Sequence, residues 1–151
     1  MFDLATTAVE AALAAGATYA DARIMIVRYE SMSAKNRSVE ELLKTETAGI
    51  GVRALIGSSW GFESTPDLTP AAARRVGERA ASVARASARV SGPPLELAPT
   101  PVVEASWAND WQVHPLDDIG IGERADLLVE VTGVMADAGV PLAQAGHQIW
   151  D

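Results

Sequence analysis

The sequence predicts an α+β fold, in which an antiparallel β-meander of about four strands packs with about three helices. The first observation behind this prediction is an apolar pattern of helical period at the start of the chain. The second is a run of alternating and β-branched residues between positions 22 and 64, divided by turn signals. The third is a pair of helical patterns in the second half of the chain.

The first helix is predicted between Phe2 and Gly16, where apolar residues recur at helical spacing and glycine supplies a stop. We expect its apolar stripe to consist of Phe2, Ala5, Val9, Ala12 and Leu13.

The meander is predicted from four segments. ARIMIVRYESMSAK is a long first strand, Asn36 and Arg37 interrupt the pattern, and SVEELLKTE is the return strand. In AGIGVRALI, alternation predicts that one face carries Ile50, Val52, Ala54 and Ile56, and the other Gly51, Arg53 and Leu55. Gly57 and Ser58 then form a two-residue loop of type II′, and SWGFES returns with Trp60 and Phe62 on a common face.

Two helices are predicted in the second half. Thr69 is a good N-cap and Pro70 a good first residue for a helix that runs to Val90. A last helix runs from Ile121 to Ala138, and Gly139 closes it. The expected buried stripes are Val76, Ala80, Val83, Ser87 and Val90 in the former, and Leu127, Leu128, Val131, Val134 and Met135 in the latter.

The predicted organisation is one domain over 1–151. It has a core at 1–91, a Pro-rich connector at 92–120, and a last helix followed by the start of an incomplete extended element at 121–151. Because an extended element that stops at an exposed tryptophan is unusual for a complete domain, we expect the chain to be truncated.

Composition narrows the possible partners. The formal net charge of −8 argues against nucleic acid, because phosphate binding needs basic patches. The absence of cysteine excludes a disulfide scaffold, a cysteine-ligated zinc site and a thiol nucleophile. The start of the chain has no basic segment typical of a signal peptide, and no apolar run approaches the ~20 residues of a membrane helix. We therefore expect a soluble, cytoplasmic protein with no membrane partner.

The pentapeptide GSSWG at 57–61 satisfies the G-x-S-x-G pattern of a serine-hydrolase nucleophile elbow, with Ser59 at its centre. His114 or His147, with Asp110 or Asp117, would complete a triad. An elbow, however, needs a helix directly after the serine, and SWGFES continues as a strand. We therefore interpret GSSWG as a hairpin, with Ser59 opposite Ile56.

Other candidate site residues each have a simpler interpretation. His114 lies near Asp110, Asp117 and Asp118, which suggests a metal site, but a zinc site needs more ligands at fixed spacing, so a surface histidine is favoured. Glu40 and Glu41 are adjacent on a strand and point to opposite faces, so they cannot act as a pair. No catalytic, cofactor-binding or metal-ligating residue is assigned to this chain.

Two further groups suggest interactions. A cluster of arginines with only Glu78 in opposition could dock on an acidic partner, although a solvated helix face is the commoner arrangement. Trp107 and Trp111 could anchor a partner or domain interface, or attach the connector to the core of this domain. The arginines are Arg74, Arg75, Arg79, Arg85 and Arg89.

An ordered series of segments resembles the N-terminal region of the TldD/PmbA family. These segments are AGATYADAR, KN followed by VEEL, GIGVRALI followed by WGFEST, and DLTPAAARRVGERA. The resemblance covers roughly Ala11 to Ala88 closely and extends more loosely through the last helix. One departure is Asn36-Arg37 where the family commonly has Asn-Gly. This difference matters for the predicted turn, because arginine at a position of positive φ costs about 1 kcal/mol relative to glycine.

The resemblance implies cytoplasmic, two-domain proteins, many of them zinc-dependent peptidases, that process or degrade peptides and are often named modulators of DNA gyrase. They work as homo- or heterodimers. Their metal signature, HExxxH, lies in a C-terminal half that this sequence lacks, so zinc is expected there and no cofactor in this chain. One member type lacks the metal motif altogether.

Two function classes therefore follow from the resemblance. One is a non-catalytic module that contributes scaffold, dimer or peptide-channel surface to a metallopeptidase, with the C-terminal domain, a family member and peptide as partners. The other is a truncated paralogue that acts alone as a binding or regulatory protein. A continuation encoding HExxxH downstream of codon 151 would distinguish the two.

Overall fold

The computed structural model describes residues 1–90, 92–93, 95–108 and 118–150, with no side-chain description of Val90. The helices are α1 (Phe2–Ala14), α2 (Pro70–Ser87) and α3 (Ile121–Asp137), and a short 3-10 turn (Ala88–Val90) follows α2. The strands are β1 (Tyr19–Lys35), β2 (Ser38–Ile56), β3 (Ser59–Thr65) and β4 (Gln144–Trp150). Over these residues the strands form an antiparallel sheet in the order β3-β2-β1-β4, so the predicted α+β fold is confirmed.

The sheet has four strands, as predicted, but they are not the four predicted segments. The segments predicted as separate strands at 38–46 and 48–56 form one continuous strand, β2. Only Thr47 separates them, and β1 is long enough to pair with both. The fourth strand is instead β4, which the sequence predicts as the start of an extended element, and its seven residues pair with 29–35 of β1.

The chain divides into two compact units. Unit 1 comprises Met1–Val27 and Thr47–Pro99, and unit 2 comprises Arg28–Glu46 and Thr100–Asp151. The strands β1 and β2 contribute residues to both units, so the unit boundaries cross strands rather than fall in the Pro-rich connector alone.

In unit 1, α1 and α2 pack on one face of the sheet, and α2 contacts both α1 and β3 at backbone distance. A Cβ atom added to Gly77 would lie 2.1 Å from the carbonyl oxygen of Ala8, and one added to Gly61 would lie 2.1 Å from that of Ala80. Contacts this close require small residues, because any side chain would occupy backbone space. The buried core is accordingly rich in alanine: Ala8, Ala12, Ala17, Ile50, Val52, Ala54, Ala73, Val76, Ala80 and Ala81.

This packing corrects two of the predicted stripes. Phe2 is 82% exposed and Leu13 is also exposed, because α1 buries its alanine face rather than its face of large apolar residues. In α2, Val76 and Ala80 are buried as expected, whereas Val83 and Ser87 are exposed. The helix starts as predicted, since Thr69 Oγ1 accepts a hydrogen bond from Ala72 N at 3.3 Å and Pro70 occupies the first turn.

Unit 2 packs α3 against β1 and β4. Its apolar cluster is small, with Met32, Ala34 and Leu128 buried. The predicted stripe of α3 is wrong except for Leu128, because the helix buries Arg124 and Thr132 and leaves other predicted positions open. Of these, Leu127, Val134 and Met135 are exposed and Val131 is partly buried.

Polar partners explain the orientation of α3. Arg124 Nη1 lies 2.7 Å from Glu30 Oε1, and both side chains are buried. Thr132 Oγ1 accepts a hydrogen bond from the backbone N–H of Arg37 at 3.0 Å. Because a buried polar group without a partner is costly, these pairs determine which face of the helix turns inward.

The two tight turns follow their local chemistry. Asn36 and Arg37 have φ of 46° and 70°, the sign pattern of a type I′ turn, so the hairpin keeps two loop residues despite the arginine. The Arg37 side chain is held on α3, where it donates to Gly133 O at 3.1 Å and to Asp137. Gly57 has φ of 62° and Ser58 does not share the positive sign, as expected for type II′.

Candidate functional site

Ser59 lies in a hairpin rather than in a nucleophile elbow. It is the first residue of β3, pairs with Ile56 across the turn and is buried. The next helix, α2, begins only at Pro70. A nucleophile elbow requires the helix N-terminus directly behind the serine, so the hairpin interpretation is confirmed and Ser59 is not a candidate nucleophile.

The histidine and aspartate candidates are not brought together. His147 lies on β4 opposite Met32, half-buried, and its Nε2 has no hydrogen-bond partner among the described residues. Asp118 is exposed, and the predictions for Asp110, His114 and Asp117 lie outside the described residues. Within the ranges that the structure describes, no group of three or more His, Cys, Asp or Glu residues could hold a metal ion.

The acidic pair and the arginine cluster are mostly surface features. Glu40 and Glu41 are both exposed, and Glu40 forms an ion pair with Lys35 at 3.4 Å. All five arginines are exposed; Arg79 lies 3.9 Å from Glu63, and Arg85 donates to the last turn of α1 at Ala15 O.

Of the two tryptophans of the connector, only Trp107 is among the described residues. Trp107 is 84% exposed, so it does not attach the connector to a core within the described residues. Trp111 lies outside them. Along the described part of the chain, no helix is long and apolar enough to span a membrane.

A groove in unit 1 lies on the sheet face that α1 and α2 leave uncovered. Side chains alternate along a strand, so Arg53 points away from the buried neighbours Val52 and Ala54. On this face the groove, of about 660 Å³, runs across β1, β2 and β3. Its volume is within the range of about 300–1,000 Å³ that is usual for small-ligand sites.

Glycines make the floor of this groove. Gly49 and Gly51 line it on β2, the central strand of the three, while apolar side chains lie on both sides. On the β1 side these are Met25 and Val27, and on the β3 side Phe62. A Cβ atom on Gly51 would come within 3.0 Å of Phe62 Cε2, so the missing side chain lets the ring lie across the floor.

A charged and aromatic cluster closes one end of the groove. Arg53 donates three hydrogen bonds to Asp21, from Nε to Oδ1 at 3.0 Å and to Oδ2 at 3.1 Å, and from Nη2 to Oδ2 at 2.6 Å. Its guanidinium carbon also lies 5.3 Å from the ring centroid of Trp60, which meets Tyr19 edge-on. The hydrogen bond and the negative charge of Asp21 raise the pKa of Arg53 above its usual value, so the group stays cationic.

The polar side chains that line the groove are Asp21, Arg23, Arg53 and the hydroxyl residues Thr47, Ser64 and Thr65. Its described lining contains no histidine, cysteine, lysine or glutamate, and its aspartate is engaged by Arg53. Arginine cannot act as a base at neutral pH, because its guanidinium does not lose its proton. The lining can contact a ligand through apolar side chains, through hydroxyl groups and through positive charge.

The groove is not among the features predicted from the sequence. Alternation along β2 predicts that Gly51 and Arg53 lie on the face opposite the apolar one, but the pattern alone indicates no role for that face. The available signal was the glycine at every second position, 49 and 51, followed by an arginine. Glycine in a strand interior is unfavourable unless something approaches closely there, so the repeat marks a face that accommodates another group.

Comparison with protein families gives one domain match. Residues 20–84 match the family model described as PmbA/TldA metallopeptidase domain 1. This range includes all of β2 and β3, most of β1 and α2, and every lining residue of the groove. A search of curated proteins gives no match.

Solved structures share the fold. A candidate modulator of DNA gyrase from Thermotoga maritima aligns over 99% of this chain and 33% of its own, with a TM-score of 0.62 and 12% identity. A second one, from Bacteroides thetaiotaomicron, aligns over 99% and 36%, with a TM-score of 0.58 and 12% identity. TldE from Thermococcus kodakarensis aligns over 86% and 31%, with a TM-score of 0.51 and 14% identity. This chain thus spans about a third of the length of each.

Proposed function

We propose that the chain is a non-catalytic module of a peptide-processing metallopeptidase of the PmbA/TldD family, and the match of residues 20–84 to the first domain of that family supports this proposal. In this role its open sheet face forms part of the surface along which a peptide reaches a metal centre located elsewhere. The observation that carries the proposal is the glycine-floored groove of about 660 Å³.

The dimensions of the groove suit an extended peptide. Its β1 wall runs from Asp21 to Val27, which corresponds to roughly 20 Å at about 3.4 Å per residue. The apolar side chains of Met25 and Phe62 on opposite walls offer contact to a peptide side chain placed between them. Because every lining residue lies on a strand or directly after one, the walls are held by the sheet itself.

Peptide binding by the 151-residue chain tests the channel role. Labelled short peptides are titrated with the chain and followed by fluorescence polarisation. Replacing Phe62 by alanine removes one wall and is expected to weaken binding about tenfold, as for a central aromatic contact. Phe62 is 58% exposed, so the substitution should leave the fold intact.

Phe2→Ala is the matched control, because Phe2 is the same residue type, lies in the same unit and is exposed outside the groove. Equal loss of affinity in both variants would contradict the channel role. A separate assay addresses the non-catalytic role: quenched fluorescent peptides are incubated with the chain and Zn²⁺. Turnover by this chain alone would overturn the claim that its chemistry is performed elsewhere.

A further inference from the structure

The net charge of the groove is opposite in sign to the net charge of the chain. The chain carries a formal net charge of −8, whereas the groove lining contains Arg23, Arg53 and a single acid, Asp21. Asp21 and Arg53 neutralise each other through their two-point contact. The groove therefore has one net positive charge, which comes from Arg23.

Arg23 has no competing partner. Its side chain makes no hydrogen bond or ion pair with any residue that the structure describes, and the residue is exposed. It lies on β1 two residues from Asp21 and two from Met25, so all three project from the same strand face. A guanidinium presents a planar fork of N–H donors, which matches the two oxygens of a carboxylate.

The surroundings of Arg23 add a second requirement. Beyond Arg23, the β1 wall continues as Met25 and Val27, and Phe62 faces them from β3 across the glycines. A ligand whose carboxylate meets Arg23 can thus place a neighbouring apolar group between these walls. Arg53 cannot offer an equivalent fork, since Asp21 already occupies it.

We propose that the groove selects peptide segments in which a carboxylate lies next to a large apolar side chain, with Arg23 binding the carboxylate and Met25 and Phe62 enclosing the apolar group. This inference rests on the proposed function, which it makes more specific. The carboxylate belongs either to an acidic side chain or to the C-terminus of the peptide, and both sources present the same chemistry.

A set of matched peptides tests the selection. The first carries Phe-Glu in an otherwise neutral, amidated sequence, the second Phe-Gln, the third Ala-Glu and the fourth Phe-Lys. A fifth ends in Phe with a free carboxylate. We expect the Phe-Glu peptide to bind about tenfold more tightly than Phe-Gln and than Ala-Glu, the scale of one charge-assisted contact or one buried apolar side chain. Comparing the first and fifth peptides identifies the source of the carboxylate.

Variants of Arg23 assign the selection to this residue. In Arg23→Gln the Phe-Glu and Phe-Gln peptides should bind equally, and in Arg23→Glu the preference should invert toward Phe-Lys. The inversion is a gain of binding, which a misfolded variant cannot show. Arg75→Gln is the matched control, because Arg75 is an exposed arginine of the same unit outside the groove.

The outcomes separate this inference from the proposed function. If wild-type protein binds Phe-Glu and Phe-Gln equally but Phe62→Ala still weakens both, carboxylate selection is overturned and the channel role is retained. A Glu preference that survives in Arg23→Gln likewise overturns the assignment to Arg23. If no peptide binds and Phe62→Ala has no effect, the proposed channel role fails with it.

Discussion

The two compact units of the chain each have a small core, and different interactions stabilise each core. Unit 1 buries alanines, valine and isoleucine, and its helix α2 contacts both α1 and β3 at backbone distance. Unit 2 buries few apolar residues and includes a buried ion pair, Glu30 with Arg124, and Thr132 bonded to the turn at Arg37. Of the five buried polar residues among the described ones, only Ser59 belongs to unit 1.

This difference determines which changes each unit tolerates. A core of small residues in close contact is sensitive to added volume, because no space remains for a methyl group. A core built on a charged pair is sensitive to the loss of one partner, because the other is left buried and uncompensated. The units should therefore respond to different substitutions, and hydrogen exchange read by mass spectrometry can locate each response.

The largest effect is expected for Arg124→Met in unit 2. Among the described residues, the substitution leaves the buried Glu30 carboxylate with only the exposed ammonium of Lys44 as a charged partner, at 3.8 Å. Removing one partner of a buried pair typically costs about 3–5 kcal/mol. Urea unfolding followed by circular dichroism should show this loss, with hydrogen exchange rising first in α3 and β4.

The double variant Glu30→Met/Arg124→Met is the control, because it removes both charges and retains volume. It should recover most of the lost stability, as replacing a buried pair by apolar residues is often neutral or stabilising. If the double variant is no more stable than Arg124→Met, the loss comes from packing and the contrast between the units weakens.

The next largest effect is expected for Leu128→Ala, and its neighbour supplies the control. Leu128 is 7% exposed and Leu127 is 58% exposed, although sequence periodicity predicts both to be buried. Leu128→Ala should cost about 2–4 kcal/mol, while Leu127→Ala should change the free energy of unfolding by less than about 0.5 kcal/mol. Equal costs measured by urea unfolding would mean that α3 is rotated from the orientation described here.

In unit 1 the corresponding test adds volume. Gly77→Ala would place a methyl group 2.1 Å from the carbonyl oxygen of Ala8, so α1 and α2 must separate. We expect a loss of about 2–3 kcal/mol with hydrogen exchange rising in these two helices. Gly122→Ala in α3 meets nothing within 4 Å and should be neutral or stabilising by up to about 1 kcal/mol. A stabilised Gly77→Ala variant would contradict the close contact of the helices.

Features that depend on neighbouring residues in the chain could be predicted from the sequence. The Gly57-Ser58 turn and the start of α2 at Thr69 and Pro70 are local chemistry, and both are confirmed. The orientation of α3 could not be predicted, since its partners are far away in the chain: Arg124 meets Glu30 over 94 positions, and Thr132 meets Arg37 over 95. Periodicity selected the more apolar face, and these distant polar pairs turned the helix away from it.

The groove could not be predicted for a related reason. Its floor, walls and charges come from three strands, and only the strand pairing brings Arg53 next to Phe62 on a shared face. The glycines at 49 and 51 were visible in the sequence, but a glycine reveals what it makes room for only when the approaching group is known. Here that group is the ring of Phe62 on β3, which lies over Gly51 on β2.

The smallest expected effects compare the helix starts of the two units. Thr69 caps α2 with its hydroxyl, whereas α3 starts at Gly120 without a side-chain cap. Thr69→Ala should therefore destabilise unit 1 by about 1 kcal/mol.

Gly120 has φ of −56° and ψ of 145°, angles that any residue adopts, and nothing lies within 4 Å of an added Cβ. Gly120→Asp should thus stabilise unit 2 by a few tenths of a kcal/mol, roughly the difference between aspartate and glycine caps. The loss in Thr69→Ala is measured as a lower free energy of unfolding in urea than that of the wild type. The gain in Gly120→Asp is measured as slower hydrogen exchange in the first turn of α3. A gain at Gly120 as large as the loss at Thr69 would mean that unit 2 is limited by its helix start rather than by its buried ion pair.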